Sequence, residues 1–328
     1  MVNKRNTDID DVLKNWIKEK IDEIWYLGSI ANNPQNVVLT GSPRSGTTWF
    51  LETLESSLDS RRMWEPFREN TKNGMGRRPY LKVDESNQTI ELFLEKIFEG
   101  EEVKYIGRNN FPFSKLEWLK SVFFADYTIF KFCRAQRLLP WLNQNFNVKS
   151  ILIMRHPLAV VASQIFHQAF TEENTDHPMV SKKILNDFPR LGKFALNLDR
   201  FEEKLAASWC FDYLIPLENW NLCNNTMLVT YEQMITNPAE ELNRIGDFLG
   251  VEVPDDVYLN LSRPSQTTVD DSNVKNKNKS PLTTWKERLS QEEINNILAV
   301  LEKFEIDFYS KNLLPDYKKI REKYNINL

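Results

Sequence analysis

The chain is poor in the residues that build metal centres and disulfide frameworks. Its 328 residues include three cysteines, Cys133, Cys210 and Cys223, and three histidines. The cysteines are odd in number and have neither metal-ligand nor redox spacing, which favours reduced thiols. No His, Cys, Asp or Glu set has zinc-type spacing, so no metal is expected. No run of about 18 apolar residues occurs, and the opening MVNKRNTDIDDVLKNW has no apolar stretch. Neither a membrane span nor a signal peptide is therefore expected, and the protein is expected in the cytoplasm. Positive charge is not in surplus: 42 Lys and Arg stand against 46 Asp and Glu, a net charge of −4. Nucleic acid gains no general attraction from such a balance, and any anion site must be local. Repeats, low-complexity tracts and clean linkers are also missing, so residues 36–328 read as one domain, with 1–35 an N-terminal helical extension. Nothing in the sequence speaks to oligomeric state.

What is present is a succession of short apolar runs, rich in Val, Ile and Phe, between helical patterns. That layout predicts an α/β fold: three layers, with a central, mostly parallel five-stranded sheet flanked by helices. Strands are expected at Val37–Thr40, near Arg61–Trp64, and at Tyr127–Phe132, Ser150–Met154 and Met227–Thr230. Two helix starts are marked, one by Asn237-Pro238-Ala-Glu240 with Gly250 as its stop, the other by the capping box Ser290-Gln-Glu-Glu293. Stretches near 65–113 and 166–204 look like insertions beside the ligand crevice, with Phe111, Phe113, Trp118, Phe166 and Phe170 as either pocket lining or core.

The most informative stretch is NVVLTGSPRSGTTW, residues 36–49. It reads as a buried strand entering a phosphate-cradling loop of the form G-x-x-x-x-G-K-[ST]. Gly41 and Gly46 keep the spacing, but Thr47 stands at the lysine position and Thr48 at the Ser/Thr position. The cation has moved inside the loop, as Arg44, within reach of an anion over the helix that begins near Thr47.

Ser42-Pro-Arg-Ser-Gly-Thr-Thr-Trp49 resembles the 5′-phosphosulfate loop of sulfotransferases that use 3′-phosphoadenosine 5′-phosphosulfate (PAPS). A second element fits the same family: Lys149-Ser-Ile-Leu-Ile-Met-Arg155-His-Pro157, with Ser163 eight residues beyond the arginine. The likeness runs from about residue 36 to about residue 305 and is sharp at these two sites. It implies a P-loop-like fold, PAPS as donor, 3′-phosphoadenosine 5′-phosphate (PAP) as product, and no metal.

The resemblance also distributes roles. Ser42, Ser45, Gly46, Thr47 and Thr48 belong to the loop around the 5′-phosphate, with Arg44 as a fixed charge at the bridging oxygen. Arg155 and Ser163 fall to the 3′-phosphate, and Trp49 and Tyr231 to the nucleobase unless they are simply packed. Ser265, Lys279 and Trp285-Lys286 resemble the segment that closes over the nucleotide, although the Arg-Lys-Gly triplet of many cytosolic members is absent. The interleaved Lys275, Lys277 and Lys279 are either a solvated loop or part of that closure.

For the acceptor, the histidine of aryl and steroid enzymes is missing from the region read as its counterpart, Val103–Pro112. Met63-Trp64-Glu65-Pro66-Phe67 instead resembles the Glu-Pro element of carbohydrate sulfotransferases and some bacterial relatives, which makes Glu65 the expected base and His167 the reserve. Lys131 and Arg134 either hold sulfuryl oxygens or an anionic acceptor, or form a solvated strand end. The expected acceptor is a hydroxyl of a small molecule, sugar or glycolipid. Two other readings stay open: a P-loop kinase or nucleoside triphosphatase, which needs the missing lysine and a magnesium-holding acid, and a non-catalytic nucleotide-binding protein.

Overall fold

The computed structural model describes residues 16, 20–21, 23–55, 58–68, 78–101, 115–167, 170–171, 180–254, 257 and 280–328. Helix α1 (23–32) leads into β1 (Gln35–Gly41), α2 (Thr47–Glu55), β2 (Ser60–Trp64), α3 (Gln88–Phe98), α4 (Lys115–Phe124) and β3 (Tyr127–Phe132). Then come α5 (Leu139–Asn145), β4 (Lys149–Met154), α6 (Pro157–Ile165), α7 (Lys182–Asp187), α8 (Pro189–Leu196) and α9 (Phe201–Glu218). The chain ends with β5 (Thr226–Thr230), α10 (Tyr231–Thr236), α11 (Pro238–Leu249), α12 (Trp285–Arg288), α13 (Gln291–Lys303) and α14 (Tyr317–Tyr324).

All five expected strands are present and form one parallel sheet in the order β2-β3-β1-β4-β5. Strands β1, β3 and β4 are buried on both faces, as helices on either side require, and this is why they read as continuous apolar runs and not as alternating ones. Strand β1 is central, with β3 on one side and β4 on the other. The chain therefore turns in opposite directions on leaving the two flanks of β1, and the crevice at such a switch point opens beyond the carboxyl ends of the strands.

The helix signals are largely met. Gly250 ends α11 in the left-handed region at φ 85°, and Ser290 with Glu293 closes the capping box of α13. Asn237 sits at the N-cap of α11, but its side chain makes no cap bond. Helix α1 is docked on the sheet: Trp25 is 1% exposed, the Arg61 guanidinium lies 4.4 Å from its ring centroid, and Gly28 faces Val122 with no room for a Cβ.

The described parts of the two stretches read as insertions include scaffold. Helix α3 buries Ile90, Phe93, Leu94 and Ile97 in the core, and Ile184 and Ala195 of α7 and α8 are buried beside α9. Helix α9 is buried from Leu205 to Leu217, and its apolar surface runs all round, as expected of a helix enclosed by the core. Val103–Pro112, Phe111, Phe113, Ser265, Lys275, Lys277 and Lys279 lie outside the described residues, as does the side chain of Trp118.

Candidate active site

The loop between β1 and α2 is shaped by two residues with positive φ, Arg44 at 75° and Gly46 at 96°. A chain bent this way turns consecutive N–H groups inward and forms an anion-binding concavity at the start of α2. Glycine is required at both ends. A Cβ on Gly41 would come within 2.6 Å of Ser45 Oγ and 2.7 Å of the Ile153 carbonyl, and one on Gly46 within 2.7 Å of the Tyr231 ring.

The loop is fastened from below. Ser42 Oγ donates to Asp212 Oδ2 at 2.9 Å, and Ser42 N donates to the Tyr213 hydroxyl, which in turn donates to the Ile153 carbonyl. Gln164 Nε2 donates to the Pro43 carbonyl at 2.7 Å. Asp212 sits fully buried between Arg137, at 2.8 Å, and Arg78. Burial alone raises such a carboxyl, but the two guanidiniums override it and keep the group ionised. Ser42 thus spends its hydroxyl on the scaffold, 1% exposed, and anchors the loop instead of lining it.

Arg44 Nε donates to Ser163 Oγ at 3.0 Å, so α6 presents its serine to the loop arginine and not to Arg155, the partner expected from the sequence. Arg155 follows β4 directly. Its Nη1 donates to the Arg44 carbonyl at 3.4 Å and its Nη2 to the Pro281 carbonyl at 3.2 Å, while its guanidinium lies 4.1 Å from the Tyr231 ring centroid. Its Nε is buried with no hydrogen-bond partner. Trp49 stands edge-on to Tyr231, ring centroids 5.3 Å apart. The basicity of Arg44 is lowered by burial first, then by the like charges of Arg155 and Arg288. Like charges that press on a buried guanidinium form a site that an anion relieves.

A second group lies on the β2 and β3 side. Lys131 Nζ, 1% exposed, sits 2.8 Å from Glu65 Oε1 and 3.7 Å from the Trp64 ring centroid, so it is no solvated strand end. Arg134 Nη1 is 3.5 Å from Glu65 Oε2. Burial pushes the Glu65 carboxyl up, but Lys131, then Arg134, overrides this and holds it down at about 2. Cys133 joins the two groups: its Sγ is 3.2 Å from Thr47 Oγ1, and it also bonds Glu65. The thiol is buried and its pKa raised, so it remains protonated.

His167 lies at the end of α6, its basicity lowered by partial burial and by Arg44. Beside it Phe166 is 53% exposed, with the Arg288 guanidinium 5.4 Å from its ring centroid. Trp285 departs from the expected placement. Its ring is 2% exposed and stacked on His156, because α12 packs into the core under the Arg155 turn. It has no free face to offer a nucleotide.

Sequence reading brought Arg44, Arg155, Ser163, Tyr231, Glu65 and Lys131 forward and missed Asp212, Arg78, Arg137, Gln164 and Arg288. Asp212 had a signal, an acid inside an otherwise apolar helical run. Arg288 had none, since a charged residue on a short amphipathic helix looks like solvent-facing surface. A cavity of about 310 Å³ also opens at the opposite, amino-terminal ends of the strands, lined by Tyr26, Ser29, Asn36, Arg61 and Phe98 among others, away from this crevice. No helix among the described residues is long and apolar enough to cross a membrane.

A family model for the sulfotransferase domain matches residues 34–304. No curated protein sequence matches the chain. Among solved structures, mouse sulfotransferase SULT7A1 complexed with PAP is 18% identical over 85% of this chain and 89% of that one, with a TM-score of 0.43. The sulfotransferase domain of the Synechococcus PCC 7002 olefin synthase is 19% identical over 84% and 96%, with a TM-score of 0.41. Sulfotransferase STF1 of Mycobacterium tuberculosis H37Rv is 13% identical over 83% and 76%, with a TM-score of 0.39.

Proposed function

The chain belongs to the sulfotransferase domain family, and from that premise we propose that it transfers the sulfuryl group of PAPS to a hydroxyl of a small-molecule, sugar or lipid acceptor. The observation that carries this reading is the pairing of a lysine-free phosphate loop with two arginines: Arg44 within the loop, and Arg155, whose guanidinium bonds the Arg44 carbonyl. The orphaned, buried Nε of Arg155 fits a phosphate group, as does the concave loop backbone.

In this reading the N–H groups of residues 45–48 and the hydroxyl of Thr48 hold the 5′-phosphate, and Arg155 the 3′-phosphate. Trp49 and Tyr231 flank the base. Ser163 aims Arg44, and Arg44 neutralises the charge that grows on the bridging oxygen as the S–O bond breaks. Lys131 and Arg134 hold the non-bridging sulfuryl oxygens.

Glu65 is the base, and its low basicity in the free site has a stated cause. Once Lys131 and Arg134 turn to the sulfuryl oxygens, the Glu65 carboxylate loses its compensation while still buried, and its affinity for a proton rises. It then takes the acceptor's hydroxyl proton as the new O–S bond forms, and PAP leaves. His167 is the reserve base. Trp285 is left out of the nucleotide site.

Two features weigh against a kinase or triphosphatase. Thr47 stands where the loop lysine is needed, and its hydroxyl is engaged with Cys133; β4 ends at Met154 and is followed by Arg155, a cation where magnesium needs an acid. The test is PAP release from PAPS in the presence of a panel of hydroxyl acceptors. Wild type is expected to turn over with at least one class, and Arg44→Ala to lose ~10²–10³ in kcat. Full turnover by the variant would remove Arg44 from the mechanism.

A further inference from the structure

The parallel pairing of β4 with β5 ends at Met154 and Thr230, because the chain after Thr230 turns at once into α10. The next two residues of β4's path, Arg155 and His156, nevertheless remain paired with the next two after β5. Side chains do what backbone can no longer do. The Tyr231 ring lies under the Arg155 guanidinium at 4.1 Å, and Glu232 Oε1 accepts the His156 N–H at 2.8 Å.

Glu232 is 1% exposed and stands in the first turn of α10, where a carboxylate is favoured. Its other oxygen accepts the Tyr309 hydroxyl at 3.2 Å. His156 is held a second time from the same C-terminal segment. Its Nδ1 accepts the Leu158 N–H, so the neutral ring carries its proton on Nε2 and donates it to the Asn312 carbonyl at 2.9 Å. Trp209 Nε1 donates to the Arg155 carbonyl at 3.1 Å. The peptide that carries Arg155 is therefore fixed on both sides, and Pro157 prevents the following residue from adding a backbone donor.

We infer that Glu232 is a positioning residue of the nucleotide site: through the His156 N–H it keeps Arg155 in place for the 3′-phosphate, with the segment around Tyr309 as its brace. The inference rests on the assignment of Arg155 to that phosphate. It implies a selective effect. Loss of the Glu232 acceptor frees the Arg155 turn and weakens ligands that carry a 3′-phosphate, whereas the 5′-phosphate loop loses at most its one contact with Arg155, at the Arg44 carbonyl, and keeps its fastening by Asp212, Tyr213 and Gln164.

The experiment is calorimetric titration of wild type, Glu232→Ala, Glu232→Gln and Glu232→Asp with PAP and with ADP, which lacks the 3′-phosphate. Glu232→Ala is expected to raise the Kd for PAP ~tenfold and that for ADP less than ~twofold, a change of the order of one hydrogen bond near a charge. Glu232→Gln, which keeps an acceptor for the His156 N–H, is expected to restore PAP binding to within ~threefold. Glu232→Asp, one methylene too short to reach, is expected to behave like alanine and serves if the alanine variant does not fold. Equal weakening of both ligands, or an unchanged ratio between them, overturns the positioning role. A wild-type protein that binds PAP no more tightly than ADP overturns instead the assignment of Arg155, whatever the variants do.

Discussion

Lys131 and Glu65 face each other across the carboxyl ends of β3 and β2, ammonium to carboxylate at 2.8 Å, in a pocket where Lys131 is 1% exposed. The strand register makes the pair: Trp64 is level with Lys131, and the next residue, Glu65, donates its N–H to the Lys131 carbonyl at 2.8 Å. Glu65 holds φ at 43°, an uncommon conformation for a residue with a side chain and one that costs energy. The strain is carried where two oppositely charged groups meet the loop through Cys133, and it aims the carboxylate at Lys131.

Removing the ammonium exposes the basicity that Glu65 holds in reserve. In Lys131→Met the carboxylate keeps its burial and loses its main partner, so its pKa is expected to climb from about 2. A pH profile of kcat/KM should then show an acid limb from Glu65, with activity lost as pH falls through the raised pKa, where wild type is expected to show no Glu65 limb above pH 4. The loss in kcat at neutral pH is expected to be ~10²–10³.

Asp212 carries the charge balance beneath the loop. Asp212→Ala leaves Arg137 and Arg78 buried without their carboxylate, and a broken buried pair costs ~3–5 kcal/mol. Urea unfolding should show that loss. Ser42→Ala removes one neutral donor to the same oxygen and should cost about 1–2 kcal/mol.

Gly46 separates backbone strain from side-chain collision. Gly46→Ala meets both a φ of 96° and the Tyr231 ring at 2.7 Å. It should abolish PAP binding, and adding Tyr231→Ala should relieve the clash but leave a backbone penalty of ~1–3 kcal/mol. Full recovery in the double variant would show that the loop tolerates a side chain there.

The stability of the protein should also carry a signature of Glu232, whose carboxyl is raised by burial from 4.5 to about 7 against the opposing pull of the His156 N–H and Arg155. A raised acid contributes stability that is fully present below pH 4.5 and is lost as pH rises to about 7, because the unfolded chain releases the proton first. Glu232→Gln does not titrate. Its stability relative to wild type should therefore increase by ~2–3 kcal/mol between pH 4.5 and pH 8, read from unfolding midpoints at the two pH values.

The strands and both ends of the phosphate loop were legible because each is dictated locally. Burial on two faces demands continuous apolar runs, and a turn with positive φ and no space demands glycine. Arg155 and Ser163 were legible as residues of one strand end and the following helix, but the bond of Ser163 to Arg44 was not. What was not legible depends on partners far apart in the chain. Arg78 and Arg137 reach Asp212 from 134 and 75 residues away, and no local pattern names them. The packing of Trp285 was hidden for a related reason: an aromatic that packs on His156 and one that stacks on a base look alike until the fold places α12. Glu65 was picked out, but its closure by Lys131 arises only from the β2–β3 register.

The most direct measurement is calorimetric titration of the purified protein with PAP, ADP and ATP, each with and without Mg²⁺. The expected result is tight, magnesium-independent binding of PAP that exceeds ADP and ATP and is lost in Arg155→Ala. Preference for ATP with Mg²⁺, or PAP binding that survives Arg155→Ala, would contradict the donor site described here.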